Sequence, residues 1–243
     1  MRFVRGLVIL SLLAAGARAQ TPGDQLSMAI ASDDVAKAQG ALDAGAKLDA
    51  DFGRGHTPLI AAVILTKPAM VKFLLEHGAD PNHRAEDGAI GNALSACFFA
   101  TPGMAITRRA ERDFIDEHRV PAIEALKLIA ARKPKTDILV SRGPTRVSPL
   151  MIAAESGAAD AVRILLDAGA NPNFANDGKY TALDYAVDRA PRFAEIADAD
   201  RIEVLKMLLA AGAKKDKKGA DGLTPLDRAR KAGNAWAVAA LSN

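Results

Sequence analysis

The feature that most constrains this chain is its similarity to itself at a fixed interval. Leu26, Leu59, Leu94, Leu150, Leu183 and Leu226 align as one column. Around it stand Thr57-Pro58-Leu59, Ser148-Pro149-Leu150, Thr181-Ala182-Leu183 and Thr224-Pro225-Leu226. Three residues further on come Ala29, Ala62, Cys97, Ala153, Ala186 and Ala229. A second marker is Gly45-Ala46, Gly78-Ala79, Gly169-Ala170 and Gly212-Ala213, with an apolar pair such as Leu74-Leu75, Leu165-Leu166 or Leu208-Leu209 just before it. Leu26 to Leu59, Leu150 to Leu183 and Gly45 to Gly78 are each 33 residues. A period of this length means stacked supersecondary units, each too small to bury a core alone.

Each sign has a physical cause. Thr or Ser caps a helix by accepting a backbone N–H, and Pro fits the first turn, where no donor is required. The small residue lets the two helices of a hairpin approach closely. The leucine pair lies on the second helix and packs against the next repeat. Glycine then closes that helix in the left-handed conformation, which other residues adopt only at a cost. Asp80-Pro81-Asn82 and Asn171-Pro172-Asn173 turn the chain out into a finger-like loop. Aromatics are only 5% of the 243 residues and alanine is abundant, which also favours closely packed helices over a β-sandwich.

This pattern resembles the ankyrin repeat over about residues 24–243. The resemblance implies an all-α solenoid of about six helix-hairpin repeats with finger loops. The repeats are placed near 24–49, 50–82, 83–136, 137–173, 174–216 and 217–243, the first and last acting as caps. The histidine that usually comes after the Thr-Pro-Leu triplet is missing, its positions holding Ile60, Ser95, Met151, Asp184 and Asp227. The hydrogen bonds it would make must be replaced or lost, so a less regular stack is expected. In repeat 3 the triplet reads Asn92-Ala93-Leu94, and the Gly-Ala position aligns with Arg132-Lys133.

Two spacings exceed the period. Leu94 to Leu150 is 56 residues and Leu183 to Leu226 is 43. The excess falls between first and second helices, near Thr101–Arg119 in repeat 3 and Ala190–Ala199 in repeat 5, with a few residues added to the finger around Ser141–Thr145. A short helix from Thr107 would put Ala110 and Phe114 on one face. Either that stripe packs back on the array, or the insert forms part of a partner surface, and both readings can hold together.

The first residues read as a leader for export. Arg2 and Arg5 precede an apolar run from Gly6 to Gly16 of about 11 residues, against roughly 20 for a bilayer span. Ala17-Arg18-Ala19 supplies the small residues of a cleavage site, which leaves Gln20 as the mature N-terminus. Removing Arg2, Arg5 and Arg18 takes the formal charge from +3 to zero, so no global basic field remains for nucleic acid. The single cysteine, Cys97, excludes an internal disulfide, and it stands where five repeats have Ala. A packed, inert thiol is expected.

Candidate chemistry is sparse. His56, His77, His83 and His118 lack the helical i, i+4 spacing of a zinc pair, and Gly88 with Gly91 lacks the context of a phosphate loop. No metal or cofactor is expected. The basic run Lys214, Lys215, Lys217 and Lys218 has no interleaved aromatics and suits an anionic protein patch better than nucleic acid.

The resemblance therefore implies a non-catalytic module that binds another protein; with the leader and the absence of a disulfide, it is expected to be periplasmic after cleavage, monomeric and without membrane insertion. The candidate contact residues are Arg108, Arg109, Phe114, Arg192, Phe193, Lys214 and Lys215. Exported bacterial members of the family include helpers of oxidative-stress enzymes and immunity proteins that neutralise toxins. The alternatives are a small-molecule or enzymatic function built in the inserts, and a fully secreted effector.

Overall fold

The computed structural model describes residues 21–53, 55–84, 90–99, 112–188 and 198–242, with residues 99 and 112–119 described in backbone only. The leader, the greater part of the repeat 3 insert and almost all of the repeat 5 insert lie outside these residues, as do the side chains of His118 and Phe114. The described chain divides into two compact units, residues 21–99 with 116–134, and residues 135–242 with 112–115.

The first unit opens with helices α1 (Pro22–Ser32) and α2 (Val35–Asp43). Then come α3 (Pro58–Ile64), α4 (Pro68–Glu76), α5 (Ala93–Phe99) and the residues of α6 (Arg112–Ala130) from Asp116 onward. The first helices α1, α3 and α5 pack in sequence, and α2 packs on α4, giving two helical layers. Leu26, Leu59 and Leu94 are fully buried, as are Ala29 and Ala62, so the recurring leucine and small-residue columns are the core. Cys97 shares that column, with Sγ 3.6 Å from the Ala93 carbonyl.

The second unit begins with a two-stranded antiparallel hairpin, β1 (Val140–Arg142) and β2 (Thr145–Val147), paired Val140 to Val147 and Arg142 to Thr145. This is the lengthened finger before Leu150. Then come α7 (Pro149–Glu155), α8 (Ala159–Asp167), α9 (Ala182–Val187), α10 (Asp198–Ala210), α11 (Pro225–Lys231) and α12 (Ala235–Ser242). First helices α7, α9 and α11 form one row and second helices α8, α10 and α12 the other. Leu150, Leu183, Leu165, Val204, Leu205 and Leu208 fill the space between the rows.

The chain replaces the missing histidines with other caps. In repeats 5 and 6, aspartate at the third helical position accepts bonds from the cap threonine, and in repeat 6 the box is reciprocal. The N–H and hydroxyl of Thr181 donate to Asp184 Oδ2 at 2.8 and 3.0 Å. Those of Thr224 donate to Asp227 Oδ2 at 3.1 and 2.7 Å, while the Asp227 N–H returns a bond to Thr224 Oγ1. Thr21 and Asp24 do the same one turn before Leu26, so α1 starts at Pro22. In repeat 3 the Asn92 N–H donates to Ser95 Oγ and the Ser95 N–H returns to Asn92 Oδ1. Repeat 2 uses Thr57 alone, and Ile60 is buried there.

The glycines behave as the pattern requires. Gly45, Gly78, Gly169 and Gly212 all have φ between 88° and 96°. In repeat 3 that conformation is held by Lys133 at φ 48°, one residue later than the aligned Arg132 and directly before Pro134. Within the described residues, the end of the repeat 3 insert is not a separate short helix: α6 runs continuously from Arg112 through Pro121 to Ala130. Residues Ala125, Leu126 and Ile129 of that helix hold the buried positions that Met70, Val71 and Leu74 hold in α4. Pro121 therefore stands just ahead of the position where a regular repeat begins its second helix, and the helix extends backward past it.

Candidate functional site

In the second unit the fingers and first helices of repeats 5 and 6 build a cleft of about 170 Å³, lined by Tyr180, Asp184, Tyr185, Asp188 and Arg228. Its geometry comes from the turns. Asn176 Oδ1 accepts the N–H groups of Gly178 and Tyr180, each at 3.0 Å, which folds the finger back and presents the Tyr180 ring. The Ala220 N–H donates to the Gly178 carbonyl at 2.8 Å and ties this finger to the next. The ring of Tyr180 is thereby held between two glycine backbones. A Cβ built on Gly178 would come within 2.8 Å of the ring, and one on Gly219 within 2.3 Å.

Arg228, from α11, stacks over the same ring with its guanidinium carbon 4.7 Å from the centroid. Its Nη2 contacts both oxygens of Asp221 at 2.9 and 2.8 Å. Its Nε stands 3.5 Å from Asp184 Oδ1, outside hydrogen-bonding geometry. Asp184 is only 3% exposed. Its Oδ2 is committed to the Thr181 cap, while Oδ1 is buried with no hydrogen-bond partner. Arg228 is held firmly protonated despite its desolvation by the hydrogen bond to Asp221 and the charge of Asp184. Against the opposing effect of desolvation, the Leu223 N–H and the same contact with Arg228 hold the Asp221 carboxyl below the usual range.

Behind Tyr185 lies a second ion pair. Arg142, on the β-hairpin, grips both oxygens of Glu155 at 2.6 and 3.3 Å, and Glu155 is 4% exposed. The Arg142 guanidinium also sits 5.9 Å from the Tyr185 ring centroid. The Tyr185 hydroxyl accepts a bond from Asn176 Nδ2 at 3.1 Å, and burial pushes its pKa up, so it stays a neutral phenol. The cleft thus has fixed aromatic walls, an ion pair behind it and carboxylates facing it. Its described lining holds no nucleophile paired with a base. Among the described residues no cluster of three or more His, Cys, Asp or Glu is arranged to hold a metal.

None of the contact residues expected from the sequence is in the described lining of the cleft. Arg108, Arg109, Arg192 and Phe193 lie outside the described residues. Lys214 and Lys215 are exposed on the finger between repeats 5 and 6. The Lys214 N–H donates to Asn173 Oδ1 at 2.9 Å, and Lys215 Nζ donates to the Leu241 carbonyl at 3.3 Å. Lys217 Nζ bonds the Asn173 carbonyl at 2.9 Å, so part of the basic run braces one finger against its neighbour. His77 stacks on Phe73, and its ring nitrogens engage the Phe73 carbonyl and the Gln39 side chain. Burial pushes the Cys97 thiol up to about 12. The repeat pattern alone does not reveal the cleft. Its available signal is that both tyrosines of the chain, Tyr180 and Tyr185, stand in one repeat on either side of an aspartate in the histidine column.

Comparison with known proteins defines the class. The ankyrin-repeat family model matches residues 120–218 in three copies, and a single ankyrin repeat matches 54–86. The ankyrin-repeat protein EF0377 superposes with a TM-score of 0.66 at 23% identity, over 91% of this chain and 98% of that one. An ankyrin-repeat domain from Acinetobacter baumannii AYE gives 0.64 at 23% identity, over 89% and 95%. A chain from the complex of the predatory endopeptidase Bd0816 of Bdellovibrio bacteriovorus with immunity protein Bd3460 gives 0.61 at 25% identity, over 90% and 96%. A putative palmitoyltransferase, ZDHHC13 of Danio rerio, is 33% identical over 141 residues, 54% of this chain. The chain spans only 22% of that relative's length.

The chain belongs to the ankyrin-repeat family and has its all-α solenoid fold of helix hairpins with finger loops. Such a fold is a protein-interaction module. Among the described residues no helix is long and apolar enough to cross a membrane.

Proposed function

We propose that this chain is a non-catalytic binding module of the bacterial periplasm, exported by a leader cleaved after Ala19, that captures one partner protein and modulates its activity. The observation that carries this reading is the surface formed by the fingers and first helices of repeats 5 and 6. Its side chains are fixed by neighbouring backbone and by one another rather than disposed around a reacting atom. Preorganised aromatic and charged groups of this kind suit recognition, because little side-chain freedom is lost on binding.

Two partner classes fit: an enzyme of oxidative-stress defence that is helped, or a toxic enzyme that is neutralised. The likeness to a chain from a complex of an endopeptidase with an immunity protein favours the second. The test is affinity capture of the mature chain, beginning at Gln20, from a periplasmic extract, with mass spectrometry of what is retained. The expected result is a stoichiometric enzyme partner whose activity changes on binding. Full-length chain retaining Met1 in the cytoplasm, or no retained protein at all, would count against the proposal.

A further inference from the structure

We infer that the cleft between repeats 5 and 6 receives a basic side chain, lysine or arginine, from the partner's docking segment. This rests on the interaction-module reading and specifies the partner's chemistry.

The first observation is the state of Asp184. It is 3% exposed and faces the cleft, and one of its two oxygens has no hydrogen-bond partner. A buried ionised carboxylate accepts several bonds, and an unfilled position costs desolvation energy that an incoming donor recovers. A guanidinium or ammonium supplies that donor together with the charge.

Charge decides between a cationic and an anionic guest. Among the described residues Arg228 is the one cation lining the cleft, and it already faces two carboxylates, Asp221 by direct contact and Asp184 at 3.5 Å. Asp188 adds an exposed carboxylate at the end of α9. The local sum over Asp184, Asp188, Asp221 and Arg228 is negative, so an acidic guest is repelled and a basic one attracted. Asp221 holds Arg228 through Nη2, while Arg228 Nε stays 3.5 Å from Asp184 Oδ1 without bonding it, so the guest cation shares this carboxylate with Arg228.

Shape supports the same guest. About 170 Å³ falls below the roughly 300–1,000 Å³ of small-molecule sites, yet suits one extended side chain. The walls are tyrosine rings, along which the methylenes of a long basic side chain can lie and over whose faces its charge is stabilised. Gly178 and Gly219 flank the two edges of the Tyr180 ring and restrict its sideways movement.

The experiment uses the whole mature chain and three synthetic peptides in which alanine alternates with lysine, arginine or glutamate. Affinity is read by calorimetry, and location by backbone amide NMR shifts over residues 180–188 and 221–228. Binding by a basic peptide with shifts at these residues, weakened about tenfold or more in Asp188→Asn and again in Asp184→Asn, supports the inference. Asp188 lies outside the Thr181 capping box, so its variant stays informative if Asp184→Asn loosens the helix start. The glutamate peptide should not bind. Equal binding of the acidic and basic peptides, shifts elsewhere on the surface, unaltered affinity in Asp188→Asn, or no binding up to about 5 mM peptide would each overturn it. The peptides need no natural partner. A chain that captures nothing from an extract yet binds lysine peptide here loses the periplasmic proposal and keeps this one. The reverse outcome discards only this one.

Discussion

Replacing Gly219 with alanine tests how the cleft is held together. Gly219 does not adopt a left-handed φ, so its backbone accepts alanine, and the perturbation is steric. The added methyl falls 2.3 Å from Tyr180 Cε1, 2.6 Å from Cδ1 and 3.0 Å from Asp221 Oδ1. Carbon atoms rest at about 3.5–4.0 Å, so the ring must move by more than ~1 Å. Gly178 blocks the opposite side, leaving the ring to rotate outward and abandon Arg228. Overpacking of this kind costs about 1–3 kcal/mol, and the lost cation–π contact about 0.5–1 kcal/mol at a partly exposed site. The smaller conformational freedom of alanine in the unfolded chain returns about 0.4–1 kcal/mol. The net expectation is a loss of roughly 1–3 kcal/mol. Urea unfolding monitored by circular dichroism measures it. The same substitution in a Tyr180→Ala background should be near neutral, because the ring clash is gone and only the 3.0 Å contact with the end of the Asp221 side chain remains to be relieved. Equal effects in the two backgrounds would refute the sandwich as the cause.

Three further outcomes are expected from the structure. Lys133 holds a left-handed turn that glycine adopts without strain, so Lys133→Gly should raise stability by about 0.5–1 kcal/mol in the same urea assay, and a loss would mean its side chain contributes more than its backbone costs. Cys97, with its thiol pushed up to about 12 by burial, should resist iodoacetamide in the folded chain from about pH 7 to 9 and react fully in urea; rapid native labelling would contradict the packed position. The Thr224 capping bonds hold the Asp227 carboxyl below its usual range, so the stability it gives is present above the unfolded-state value and lost as pH falls through the lower folded one. Asp227→Asn should therefore flatten the fall in stability on acidification, and an unchanged acid limb would show that the box contributes nothing.

Much of the fold was legible because each signal was local. A Thr-Pro pair, an alanine three residues past a leucine, and a Gly at the end of a helix each act within one turn, and they recur in phase. Thr57, Thr224, Gly78 and Gly169 take those roles in the structure. The solutions peculiar to this chain were harder to read. Asp184 and Asp227 stand in the sequence as losses of a histidine, because the alignment shows which residue is absent but not that aspartate closes the same turn from the same position. Lys133 was hidden because no residue type other than glycine announces a left-handed turn. Helix α6 was obscured by Pro121, which reads as a helix start even though the helix continues behind it. The cleft was least legible. Tyr180 and Asp184 belong to one repeat and Arg228 and Asp221 to the next, and only the stacking of repeats brings them together.

The central claim is that the fingers and first helices of this ankyrin array bind a protein. It is tested most directly by hydrogen exchange on the captured complex compared with the free chain. Binding at this surface should slow exchange at residues 176–187 and 219–231 while leaving the second helices Ala159–Asp167 and Asp198–Ala210 as they are in the free chain. Protection confined to those second helices, with residues 176–187 and 219–231 unchanged, would contradict it.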